Sequence, residues 1–352
     1  MPGRSSWARR NTAEFTYGFE THNLVYGRTN NPWDLARSPA GSSGGAAAIV
    51  AAGGATFDVG TDATGSVRGP AAHCGLAGLK PTQSRIPRTG HAIPFGGIFD
   101  LYQQPGPLTR YVEDLYLILS ILAGPDHIDP SILPMPLGNP EDVQLSSLRV
   151  AYYVDDGVDS PTPATQETVR AAARALEGVV LQVAEARPSG IERTADVSGA
   201  LISADGGAIF RRLMSAQGTT EISINPAWSS PADIVFPPLD GEELDAVVAG
   251  WYALRSSMSR FLLEHDVVVC PVTSVPAVLH GATYDPDQDL GVNYMEAFSV
   301  LGWPVATVRC GTSPEGLPIG VQIAGAPGRE DIVLAVAAHL ESDLGGFRPP
   351  PI

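Results

Sequence analysis

The chain has 352 residues, a formal net charge of −16 at pH 7 and 44% hydrophobic residues. That length suits one large α/β unit or about two domains, and the acidic balance argues against nucleic acid or an anionic membrane surface as a partner. Three widely spaced cysteines, Cys74, Cys270 and Cys310, indicate neither a disulfide framework nor a metal site, and read as buried thiols.

No signal-peptide pattern and no run of eighteen apolar residues is present, so the expected location is cytoplasmic and no membrane partner is expected. The histidines at 22, 73, 91, 127, 265, 280 and 339 show no ligand spacing. Each reads as a packed or surface residue, with His73 the one placed to border a pocket. No metal and no cofactor is expected.

Residues 1–10 are polar and basic without helical amphipathicity, and read as a disordered start. The informative stretch is 40–82, which holds two serine-centred, glycine-flanked turns: Gly41-Ser42-Ser43-Gly44-Gly45 and Gly60-Thr61-Asp62-Ala63-Thr64-Gly65-Ser66. Between them, Ala46 to Ala52 predicts a short buried helix ended by Gly53-Gly54, and Ala55 to Val59 predicts a buried strand. Helix then strand returns the chain to its starting point, so Ser42 and Ser66 are expected to face each other.

A serine hydroxyl needs a proton acceptor to become a nucleophile, and acyl transfer needs donors for the oxyanion. The amides of Ala63, Thr64, Gly65 and Ser66 are candidates for that nest, with Ser66 as the nucleophile.

Beyond the turns, residues 84–97 predict loops rich in glycine, proline and arginine, and Thr109 to Leu122 predicts a capped amphipathic helix. A proline-rich connector follows at 124–147. Leu148 to Val154, Pro163 to Leu176 and Val179 to Val183 read as a β-α-β unit without a nucleotide fingerprint. Helices are expected over Asp205 to Met214, Glu242 to Glu264 and 329–341, and strands over Asp266 to Pro271, Gly302 to Val308 and Gly316 to Gly325. The stretch 225–240 is a proline-rich loop, and 272–292 is either a lid or a surface loop.

The two turns, with Arg68-Gly69-Pro70-Ala71-Ala72-His73-Cys74-Gly75 and Gly78-Leu79-Lys80-Pro81-Thr82 after them, resemble the amidase signature family, whose hallmarks are a GSSGG turn, a GTDxGGS turn and a GLKPT sequel. Asn11-Thr12-Ala13-Glu14-Phe15, Asn30 to Arg37 and Gly106 to Leu115 resemble the same family, so the likeness covers almost all of 11–348. It implies an α/β fold with a mixed central β-sheet flanked by helices, a single domain over 11–348 and a tail at 349–352. It also implies a Ser-cisSer-Lys triad acting on a small-molecule amide. Ser66 would be the nucleophile and Ser42 the bridging serine on a cis peptide, with Thr61, Asp62, Ser43 and Arg68 as supporting residues. A homo-oligomer is left open.

Two departures stand out. Thr64 occupies a position where the family usually has glycine. Lys80 is the only lysine and matches the GLKPT segment, whereas the family's base lies several tens of residues before the GSSGG turn. The resemblance therefore implies an N-terminal part missing from this chain, impaired catalysis, and apolar residues Phe15, Tyr17, Phe19 and Leu24 left bare. Three functions are weighed: an amide hydrolase, a non-catalytic relic or binding protein that keeps the fold, and, weakest, a protein like the amidotransferase A subunit, which delivers ammonia to an aminoacyl-tRNA.

Overall fold

An eight-stranded mixed sheet organises the chain in this computed structural model, which describes residues 10–352 apart from 94, 98, 99, 101, 286 and 289. The disordered start expected at 1–10 thus falls almost wholly outside the described residues. A two-stranded ribbon, β1 (His22–Asn23) with β2 (Gly27–Arg28), precedes the sheet. The main strands are β3 (Phe57–Asp62), β4 (Ala77–Lys80), β5 (Gln104–Thr109), β6 (Arg149–Tyr152), β7 (Gln182–Glu185), β8 (Val267–Pro271), β9 (Val305–Thr312) and β10 (Pro318–Gly325). Their order is β3-β5-β4-β9-β10-β8-β6-β7. The β6 strand pairs parallel with β7 and β8, and the remaining pairs are antiparallel.

The parallel pair is joined by α4 (Pro163–Leu176), the crossover that its pattern predicts. Pro163 opens the helix where its missing N–H costs nothing, and Thr162 caps it by accepting from the Thr165 N–H.

Alternation along the strands divides the core into two faces. Val267, Val269, Ala306, Val308, Val321 and Ile323 point to the face covered by α3 (Val112–Leu122), α4 and α9 (Glu330–Leu344). Val268, Cys270, Val305 and Ala324 point to the other face, beneath α5 (Thr194–Ser203), α6 (Ala208–Ala216), α7 (Gly241–Ser259) and α8 (Asn293–Leu301). Two small-residue helices, α1 (Gly44–Ala51) and α2 (Arg68–Cys74), pack together by β3 and carry the serine turns. All three cysteines are buried.

Several elements differ from their sequence reading. The β5 strand runs through Gln104-Pro105-Gly106-Pro107, because Pro105 and Pro107 sit opposite Thr61 and Val59 in an antiparallel pairing that does not need their missing donors. It ends at Thr109, so α3 starts at Val112 and not at Thr109. Its first amide is held from outside: the Val112 N–H donates to the Glu341 carboxylate of α9 at 3.1 and 3.2 Å. The β3 strand begins later than expected and continues through Thr61 and Asp62, so half of the second glycine-rich turn is extended backbone.

The expectation of a bare N-terminal segment is also corrected. Tyr17 lies 4.4 Å from Phe210 and stacks on Trp228, Phe15 joins the same core, and Phe19 packs beside Ala72, Val272 and Met295. Loop 220–230 supplies neighbours that no local pattern announces. Leu24 alone of the four is exposed, at 55%.

Candidate active site

The first serine turn is held by the chain that precedes it. The peptide between Gly41 and Ser42 is cis, as the resemblance implies. Thr21 Oγ1 accepts from the Gly44 N–H at 3.0 Å and donates to Ala40 O at 2.9 Å, while Ser42 O accepts from the Ala13 N–H at 3.2 Å. Close approach explains Gly45: a Cβ there would stand 2.3 Å from Asn11 O. Ser42 and Ser43 are buried.

The second turn is wound around a carboxylate. Asp62 Oδ1 accepts from the Gly65 N–H at 2.8 Å, and Oδ2 from the Val67 and Arg68 N–H groups at 3.2 and 3.3 Å. Arg68 closes on it through Nε at 3.0 Å and Nη2 at 2.8 Å, both side chains being fully buried. Burial acts to raise the Asp62 pKa, but the Arg68 charge and hydrogen bonds outweigh it and hold the carboxyl below its ordinary value. Arg68 also reaches Met295 O, Gln322 Oε1 and Ser299 Oγ, tying the turn to α8 and β10.

Gly65 adopts φ +117° and faces Met295, whose sulfur would lie 2.3 Å from an added Cβ. Its N–H is directed at Asp62, so of the four amides expected to form the nest this one is committed to the carboxylate. The amides of Ala63, Thr64 and Ser66 remain as the candidate donors.

The two turns meet. The Ser43 N–H donates to Ser66 O at 3.2 Å across a gap of more than twenty residues in sequence. Ser66 is half-buried. Beside Ser42 opens a cavity of about 230 Å³ bordered by Ser43, Asp58, Thr61, His91 and Arg10; Ser66 is not among its bordering residues.

His91, Asp58 and Arg10 are members of this site that sequence reasoning missed. Asp58 is buried and forms an ion pair with Arg10. A charged residue at an inward position of an apolar strand was the available signal. His91 carried none, being one histidine in a loop of glycine and proline. Its Nδ1 accepts from the Ile93 N–H at 3.2 Å, so the neutral ring carries its proton on Nε2 and donates to Thr61 Oγ1 at 3.1 Å. Burial, and to a lesser degree the Arg88 charge, lowers its pKa against the opposing Ile93 hydrogen bond and so favours the neutral ring.

Lys80 lies elsewhere. It is fully buried on β4, its Nζ donates to Pro81 O at 3.2 Å, and burial followed by the Arg68 charge lowers its pKa to about 7. His73 is buried on α2 and does not border the cavity beside Ser42. Among the described residues no group of three or more His, Cys, Asp or Glu side chains is arranged to hold a metal ion.

A mixed sheet carrying two joined serine turns, one with a cis peptide and one wound on an Asp–Arg pair, is the architecture of an amidase-signature protein. The chain belongs to that family, described as Amidase, whose sequence model matches residues 3–334. It is 32% identical to the A subunit of the glutamyl-tRNA(Gln) amidotransferase of Anaeromyxobacter dehalogenans (strain 2CP-C), over 97% of this chain and 74% of that protein. The structure of 6-aminohexanoate cyclic dimer hydrolase is similar with a TM-score of 0.82 and 28% identity, covering 97% of this chain and 75% of the other. The glutamyl-tRNA(Gln) amidotransferase A subunit of Thermotoga maritima gives a TM-score of 0.79 at 26% identity, covering 97% and 75%. A family match that begins at residue 3 lends no support to the expectation of a missing N-terminal part. Among the described residues, no helix is long and apolar enough to cross a membrane.

Proposed function

We propose that this protein hydrolyses a carboxamide C–N bond through an acyl ester on Ser66. Ser66 Oγ attacks the carbonyl carbon and its proton passes by way of Ser42 to the departing nitrogen. The C–N bond then breaks, and water cleaves the ester to release the acid. The Ala63, Thr64 and Ser66 amides are the donors to the oxyanion, Gly65 supplying the turn that aims them. Asp62 and Arg68 fix the turn, Ser43 joins it to the first, and Thr61, held by the His91 Nε2–H, supports Ser42.

The observation that carries this reading is the Ser43 N–H to Ser66 O hydrogen bond, which brings two serines distant in sequence into one site. Turnover by this polypeptide is expected to be slow, because its only lysine is tied to Pro81 O and borders no part of the cavity beside Ser42. The test is labelling with a fluorophosphonate followed by peptide mapping. Modification at Ser66, abolished in Ser66→Ala, supports the reading; labelling that persists in that variant refutes it. No labelling at all favours the non-catalytic relic.

A second reading, a component of an amidotransferase complex, ranks last from sequence but is favoured by the names of the curated relatives. Hydrolysis of simple amides by the isolated chain supports the first reading. Activity that appears only when the other components of such a complex are added supports the second.

A further inference from the structure

A second and larger cavity lies away from the small one at Ser42, between the segment 20–28, loop 220–230 and residues 280–284, and measures about 860 Å³. Two of its lining groups are buried and incompletely partnered. The His280 side chain is 8% exposed, and neither ring nitrogen has a hydrogen-bond partner among the described residues. Glu20 is 5% exposed. Its Oε1 accepts from the Gly281 N–H at 2.6 Å and Thr283 Oγ1 at 3.1 Å, while Oε2 faces only His280 Nδ1, at 3.8 Å.

A carboxylate this buried calls for a cation, and none of the described arginines or Lys80 pairs with Glu20. His280 is a weak candidate for that cation, since burial and then the Arg28 charge lower its pKa against the opposing pull of Glu20, and its Nδ1 stays 3.8 Å from the carboxylate. The exposed Arg28 and Glu221 in the lining carry opposite charges. The rest of the wall mixes polar side chains, among them Ser223, Asn225 and Ser229, with the apolar and aromatic surfaces of Leu24, Ile222, Trp228 and Tyr284. Trp228 is fixed by stacking on Tyr17 and by an edge contact with Phe236, and Tyr284, pushed up to about 12 by burial and by Glu20 and Glu14, also lines the cavity. Aromatic faces beside a carboxylate attract ammonium groups.

We infer that this cavity is a ligand site for a small organic primary amine, whose ammonium group bonds Glu20 Oε2 and His280 while its apolar body lies between Trp228 and Tyr284. The amine donates two of its three protons, one to the carboxylate oxygen and one to an unprotonated ring nitrogen, which gives the buried imidazole the partner it lacks. The site adjoins the first serine turn: Glu20 precedes Thr21, whose hydroxyl holds that turn, and its backbone nitrogen lies 3.1 Å from where a Gly41 Cβ would stand. The inference does not depend on hydrolysis at Ser66.

The test uses benzylamine as probe, with benzyl alcohol and benzoate as the uncharged and anionic counterparts, followed by calorimetric titration. Benzylamine is expected to bind at least tenfold more tightly than either counterpart and to lose at least tenfold in affinity in Glu20→Gln. In the unaltered protein, benzylamine should shift the His280 ring nitrogen resonances and leave those of His339, whose ring is bonded to Ala175 O at 3.0 Å, in place. The inference is overturned by no benzylamine binding, by equal affinity for benzyl alcohol, by a preference for benzoate, or by an unmoved His280 signal. Should Glu20→Gln not fold, the probe comparison and the His280 resonances decide the matter without it.

Discussion

Asp62 and Glu20 are both buried carboxylates that stand beside a serine turn, and the chain treats them differently. Asp62 receives three backbone N–H groups and two guanidinium donors, so both oxygens are filled. Glu20 receives two donors on one oxygen, and the other lies 3.8 Å from the His280 imidazole beside a cavity. The difference separates scaffold from site. A buried polar group satisfied from within rigidifies the structure around it, whereas one left short in a cavity marks where something from outside completes it.

The comparison can be sharpened by experiments of decreasing expected effect. Ser66→Ala should remove amide hydrolysis by a thousandfold or more, on the order seen for acyl nucleophiles, while leaving the melting temperature near that of the parent. Turnover measured with and without fluorophosphonate checks this, and a loss of only a few fold would transfer the chemistry away from the turn.

Removing the guanidinium from the filled carboxylate comes next. Arg68→Met strands a buried charge and should cost about 3–5 kcal/mol in urea unfolding, and adding Asp62→Asn to it should recover part of that loss. A cost under about 1 kcal/mol would mean that the pair does not brace the turn.

A third carboxyl, Glu296 on α8, probes the same face by pH. Burial first and then the Asp159 charge raise its pKa to about 8, Arg68 opposing. The folded state therefore holds a proton that the unfolded chain releases near 4.5, so stability is full below that pH and drains as pH rises toward 8. Glu296→Gln should flatten this decline, by about 1–3 kcal/mol between pH 5 and pH 8. An unchanged slope in paired urea titrations would place the responsible group elsewhere.

The smallest effect is expected at the incompletely filled carboxylate. Glu20→Gln keeps an oxygen for Gly281 and Thr283, so its unfolding free energy should change by less than about 1 kcal/mol. A loss as large as that of Arg68→Met would erase the distinction between the two carboxylates.

Local pattern was a good guide where an element is built from its own residues. Pro163 with Thr162 marks the start of α4, the run of small residues after Ser43 marks α1, and alternating β-branched residues mark β8 to β10. The helices α2, α5 and α8 escaped, since α2 is hidden inside a motif read for chemistry and α5 and α8 are packed by neighbours more than patterned along their own length. The start of α3 was misplaced because its first amide is satisfied by Glu341, more than two hundred residues away.

The sequence alone determined the family, both serine turns, their joining by a short helix and strand, and the single lysine, because spacing and residue type within about forty positions carry all of these. Only the tertiary structure decided that the Gly65 amide turns to Asp62, that His91 reaches Thr61, that Phe15, Tyr17 and Phe19 find apolar neighbours, and that Glu20 and His280 share a cavity. Each of those depends on which distant groups meet in a low-dielectric interior. Donors, acceptors and charges there must find partners through space, and no local pattern records who those partners are.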